Sequence, residues 1–95
     1  MRQSCLEKLC EYEVKPIGHA DKERVSFWVY DSGERVVYIA FLNKRLSEAP
    51  GNLGIPIPIT GSYPIDDPQI KPAAEIVFKH RIMLYLEKNG YQIEF

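Results

Sequence analysis

Two histidines, two cysteines and a handful of aspartates are the side chains from which a reactive or metal-binding site could be assembled in this chain. Their spacing argues against one. A metal centre wants three or four convergent ligands, and His19, His80, Cys5 and Cys10 follow no recognisable ligand spacing, even with Asp21, Asp66 or Asp67 to assist. Read on a helix, the two cysteines point roughly 140° apart, too divergent for a bridge, so they are expected to be reduced core residues. "GHADKE" (18–23) brings His19 near Asp21 in a polar connection where acid–base chemistry is conceivable, but such a stretch is the ordinary content of a solvated loop. In "IDDP", an aspartate before proline suits a turn cap, here Asp67 before Pro68. "EVK" (13–15) matches only the end of a metal-dependent nuclease signature and lacks its upstream acidic partner. The glycines at 51, 54 and 61 are interrupted by prolines and not followed by Lys-Ser or Lys-Thr, so no phosphate loop is present. No catalytic residue, metal or cofactor is expected.

Ninety-five residues suffice for one α+β domain, 1–95, of modest burial. With 45% apolar and 26% charged residues the composition is globular, and a net charge of -1 provides no overall attraction to nucleic acid or anionic lipid. The charged N-terminus lacks a signal-peptide core, and no apolar run approaches a membrane span, so the expectation is a cytosolic protein without a membrane partner.

The elements follow from spacing. "SCLE" (4–7) fits a capping box, and Cys5, Leu6, Leu9 and Cys10 fall at helical intervals, predicting a short N-terminal helix from Cys5 to about Val14. "RVSFWVYDSGERVVYIAFLN" (24–43) reads as a β-hairpin. A three-residue loop, Asp31–Gly33, needs positive φ only at Gly33 and sets Phe27 opposite Val37. One face would then hold Val25, Phe27, Val29, Val37, Ile39 and Phe41. The other would hold Ser26, Trp28, Tyr30, Val36, Tyr38 and Ala40, too aromatic to face water uncovered. Residues 72–89 form a long helix, with Pro72 in its first turn and Gly90 just past its end. Its core face is expected to comprise Ala74, Val77, Phe78, Ile82, Tyr85 and Leu86, while Ile76 and Met83 make a second, narrower stripe. "YQIEF" (91–95) alternates as a final strand.

Between Ala49 and Ile65 no side chain is charged, and six of the seven prolines lie between positions 50 and 72. Pro56 and Pro58 remove backbone donors from one edge while Ile55, Ile57 and Ile59 keep theirs on the other, so this segment can pair along one edge only and should aim its isoleucines to one face. It either closes the chain's own core or forms an arm on a second subunit.

The overall expectation is an antiparallel sheet with a short N-terminal and a long helix, forming a small non-catalytic interaction module. A homodimer is expected, since the surfaces around Trp28, Tyr30, Tyr38, Ile57, Tyr63, Ile76 and Met83 exceed what one short helix can cover. A protein partner is an open possibility. Two other readings stay open: a single-stranded nucleic-acid binder stacking bases on Trp28, Tyr30 and Tyr38, disfavoured by the charge, and a small-ligand protein or minor enzyme with a pocket between sheet and arm.

Overall fold

A computed structural model describes residues 6–18, 21–43 and 54–92. The expected positions of Ser4, Cys5, His19, Ile93 and Phe95, and the first part of the uncharged segment, lie outside them.

Six strands and one long helix occur among the described residues: β1 (Glu7–Pro16), β2 (Glu23–Asp31), β3 (Arg35–Asn43), β4 (Ile55–Pro56), β5 (Gly61–Pro64), α1 (Lys71–Lys88) and β6 (Tyr91–Gln92). The sheet is antiparallel in the order β4-β3-β2-β1-β6, with β5 also on β3, and α1 lies against one face. The α+β architecture agrees with the sequence pattern, but the N-terminal helix is absent: its residues form β1 instead. Cys10, Tyr12 and Val14 alternate inward against outward Glu11, Glu13 and Lys15, a period-2 pattern that overrides the capping signal. Pairing with β2 shifts between Lys8 and Cys10, so Leu9 is an extra residue at a bulge.

The hairpin exists, with a different register. Asp31 pairs with Val36, Val29 with Tyr38, Phe27 with Ala40 and Val25 with Leu42. Ser32 donates its N–H to the Arg35 carbonyl at 2.9 Å, leaving Gly33 and Glu34 as a two-residue loop. Gly33 has φ +98° at the first of those two positions, as a type II′ turn requires. The Ser32 hydroxyl accepts from the Arg35 N–H, and the Asp31 carboxylate accepts from the Gly33 N–H. Relative to a three-residue loop, this slides β3 by three positions. An odd slip exchanges the faces of one strand relative to the other. The core face therefore holds Val25, Phe27 and Val29 with Tyr38, Ala40 and Leu42, while Val37, Ile39 and Phe41 join Trp28 and Tyr30 outside.

Helix α1 covers the core face with Phe78, Ile82 and Leu86, spaced four apart and each 1% exposed. Phe78 is the keystone: its ring stacks on Tyr38 with centroids 5.7 Å apart and meets Phe27 edge-on at 5.8 Å. The helix lies so close to β5 that a Cβ on Gly61 would come within 3.0 Å of the Phe78 Cβ. Gly90, at φ +85°, ends the helix at the expected position and leads into β6, whose Tyr91 hydroxyl donates to Glu23 at 2.6 Å.

The isoleucine and proline stretch closes the chain's own core. Ile57 and Tyr63 are 4% and 7% exposed, and the Ile57 N–H donates to the Ala40 carbonyl. The three isoleucines do not share a face, however, because β4 is only two residues long. Ile55 is 55% exposed while Ile57 is buried, and Ile59 donates locally to the Ile57 carbonyl, which turns the chain after Ile57. At Asp67 the backbone accepts from Ile70 N–H at the start of a short 3-10 turn (Pro68–Ile70), but the side chain makes no cap bond.

Candidate functional surfaces

The residues singled out from sequence separate into three places. Tyr38, Tyr63 and Ile57 belong to the core; Trp28 and Tyr30 lie on the outer sheet face; Ile76 and Met83 lie on α1. Tyr38 thus does not join Trp28 and Tyr30 as a stacking platform, the consequence of the two-residue turn. Burial above all raises its phenol to a pKa of about 12, and the neighbouring Glu75 and Tyr63 raise it further by smaller amounts. Its hydroxyl oxygen is buried without a partner at hydrogen-bonding geometry.

The outer sheet face comprises Trp28, Tyr30, Val37, Ile39 and Phe41, all half-buried. These side chains shield one another: Trp28 and Phe41 meet edge-on at 6.5 Å, and the Trp28 indole donates to Ser26 Oγ at 2.9 Å, which keeps Ser26 6% exposed. Helix α1 is on the opposite side, and no described element covers this face. At its β1 end the cations are matched by carboxylates. Lys8 lies 2.6 Å from Glu11, Arg24 lies 3.5 Å from the same carboxylate, and Lys22 lies 3.2 Å from Glu13. Lys8 above all, then Arg24, holds the Glu11 carboxyl below its usual range. A shallow cleft of about 190 Å³ runs beside Glu13, Lys15, Lys22 and Gln92, bringing together none of the candidate site residues.

On the core side of the sheet, Tyr12 packs edge-on against Phe27 at 5.8 Å, and Lys79 lies over that ring at 6.0 Å. The neighbouring Cys10 thiol is the main cause of a raised Tyr12 phenol. Among the described residues no group of three His, Cys, Asp or Glu side chains converges as a metal site would require, and no helix is long and apolar enough to cross a membrane.

Among the described residues, helix α1 carries the largest group of exposed apolar side chains. Ile76 is 69% exposed, Val77 56% and Leu84 46%, with Ala73, His80 and Glu87 also in solvent and Met83 half-buried beside them. Val77 therefore leaves the predicted core face, and Leu84 joins the outer stripe, which sequence spacing had confined to Ile76 and Met83. Phe78, Ile82 and Leu86 point one way and Ala73, Val77, His80 and Leu84 the other, so the helix is apolar on two opposite faces. The signal was present in the sequence as the 4-3-4 spacing of 73, 77, 80 and 84.

No family model, curated protein or solved structure matches the chain.

Proposed function

We propose that this chain is a non-catalytic protein-interaction module that self-associates through the solvent face of α1. The observation that carries the reading is the exposure of Ile76, Val77 and Leu84 on a rigid helix whose other face is anchored in the core. Their exposed fractions amount to between one and two whole aliphatic side chains. At about 1.5–3 kcal/mol for each side chain buried, covering them contributes ~3–5 kcal/mol per subunit, or ~6–10 kcal/mol per pair. Association costs at least about 4 kcal/mol, which leaves at most ~2–6 kcal/mol and a dissociation constant between tens of millimolar and tens of micromolar. The outer sheet face supplies a second apolar surface for a further protein partner. Nucleic acid is the poorer occupant, since Lys8, Arg24 and Lys22 are matched by Glu11 and Glu13 on the strand beside Trp28.

Sedimentation across the micromolar to millimolar range tests the reading. The mass should climb from 11.0 kDa toward twice that value, and Leu84→Glu should hold it at one chain without altering the far-ultraviolet circular dichroism. A wild-type chain that stays monomeric up to the top of that range would refute it.

A further inference from the structure

Given the self-association proposed above, the order of residues on α1 specifies its geometry. Ile76 and Val77 lie four and three positions before His80; Met83 and Leu84 lie three and four positions after it. The apolar side chains are thus placed symmetrically about His80, which is itself exposed on the same stripe. A pattern that reads the same in both directions is self-complementary under a two-fold axis perpendicular to the helix. We infer that two copies pair α1 antiparallel, with the axis passing beside His80, giving a sheet–helix–helix–sheet sandwich.

In this arrangement Val77 meets Leu84 of the partner subunit, Ile76 meets Met83 of the partner subunit, and the two His80 rings adjoin at the axis. Glu87 falls beside the partner's first helical turn, where the positive end of the helix dipole favours a carboxylate. A parallel pair would instead align the two dipoles and set each Glu87 beside the other. Arg81 lies on one flank and would face Arg81 of the partner subunit there, a like-charge contact at the solvent rim that long side chains relieve by splaying. The area sets the strength of the contact. An 18-residue helix is about 27 Å long, and its single face offers less than the ~800 Å² per partner of a standard interface. Such a small contact makes the pair a weak one, in keeping with the energy available from its apolar side chains.

Cysteine cross-linking decides the geometry. With the native cysteines in place and linkages identified by peptide mass mapping, His80→Cys should give an 80–80 disulfide dimer under mild oxidation. Val77→Cys alone should not link to itself, whereas an equimolar mixture of Val77→Cys and Leu84→Cys should give 77–84 links. Self-linking at 77 and 84 as well as 80 would mean a parallel pair, and an oxidised dimer with no 80–80 link would mean another surface; either overturns this inference while self-association stands. A monomer at all concentrations overturns both. Independently of cysteine chemistry, His80→Leu should tighten the dimer about tenfold by removing two polar rings from its centre, and His80→Lys should weaken it by at least as much. If neither substitution changes the dissociation constant, the axis does not pass by His80.

Discussion

Tyr38→Phe removes one oxygen from the centre of the core, and its effect should depend on pH in a way that identifies where the ring lies. Tyr38 is 1% exposed, stacked on Phe78, and its hydroxyl has only the neighbouring Tyr63 as a polar contact, outside good hydrogen-bonding geometry. Leaving a buried hydroxyl unsatisfied costs about 1–3 kcal/mol, so at pH 7 the phenylalanine variant should be more stable, by ~1 kcal/mol once the lost contacts of the oxygen are set against that gain. The alkaline range adds a second effect. The phenol is raised from 10.0 to about 12, mainly by burial. Its stability contribution is therefore complete below the unfolded value and is lost as pH rises toward the folded one, because the unfolded chain ionises first. Two units correspond to about 2.7 kcal/mol, so wild type should lose roughly that much between pH 10 and 12 through this one group, and Tyr38→Phe should lose correspondingly less. Denaturant titrations at pH 7, 10 and 11.5 measure both effects, and absorbance at 295 nm follows the phenols directly. Tyr91, whose burial and bond to Glu23 also raise it, contributes equally to both proteins and cancels in the difference. Equal alkaline losses in the two proteins would show that Tyr38 is solvated and that the register placing it inward is wrong, whereas destabilisation at pH 7 by more than about 1 kcal/mol would show that a hydrogen bond, such as one to Tyr63, is lost with the oxygen.

Two further outcomes follow from the same packing. Gly33 and Gly54 both have positive φ, but a Cβ at Gly33 meets nothing within 4 Å whereas one at Gly54 would come within 2.6 Å of the Leu42 carbonyl oxygen. Gly33→Ala should therefore cost about 1 kcal/mol of backbone strain and Gly54→Ala about 2 kcal/mol or more in thermal or denaturant unfolding; equal costs would argue against the close approach of Gly54 to β3. Ile57→Glu places a carboxylate at a 4% exposed core site and should unfold the chain, where Val77→Glu, at a 56% exposed site, should leave the fold intact; circular dichroism of the two variants checks this contrast.

What the sequence could and could not disclose follows from how strongly each signal is specified. The long helix was legible because proline and glycine punctuate it at both ends, and the hairpin because two β-rich runs flank a glycine. Register was not legible, for a physical reason: both faces of the hairpin are apolar, so a slip of three residues still gives two apolar faces and the hydrophobic pattern cannot choose between them. The choice falls to the turn, where Ser32, closing the loop through both its backbone and its hydroxyl, selects two residues over three. The first strand was hidden by its bulge. Alternation is clean from Cys10 to Lys15, but Leu9 is an inserted residue that breaks the phase, and with Leu6 and Cys10 it imitates a helical interval. On α1 the two apolar faces blur each other, so Val77 reads as core until Phe78, Ile82 and Leu86 are seen to define the buried line.

The edges of the sheet are closed to strand addition, so the proposed association falls to the apolar faces of the chain, the outer face of α1 among them. Along β3 the edge is covered by β4 and β5, which meet it at Phe41–Leu42 and at Arg35–Tyr38. Pro56, Pro58 and Pro64 punctuate that covering segment, and a residue without an N–H cannot extend a ladder. A further strand arriving there would find missing donors at intervals and a kink at Ile57–Ile59. The other edge is closed differently. β6 pairs with β1 at Lys15 and Pro16, and farther along β1 the bulge at Leu9 and the charged Glu7, Lys8 and Glu11 disfavour regular pairing. Proline at one side, and charge with a bulge at the other, both act against open-ended sheet growth. Neither device touches α1, whose exposed Ile76, Val77 and Leu84 have no charged residue between them except Lys79 and Arg81, and Lys79 is turned toward Phe27. In the antiparallel pair proposed above, the contact would close after two copies, because such a pair uses each α1 face once and leaves no second helix face to propagate.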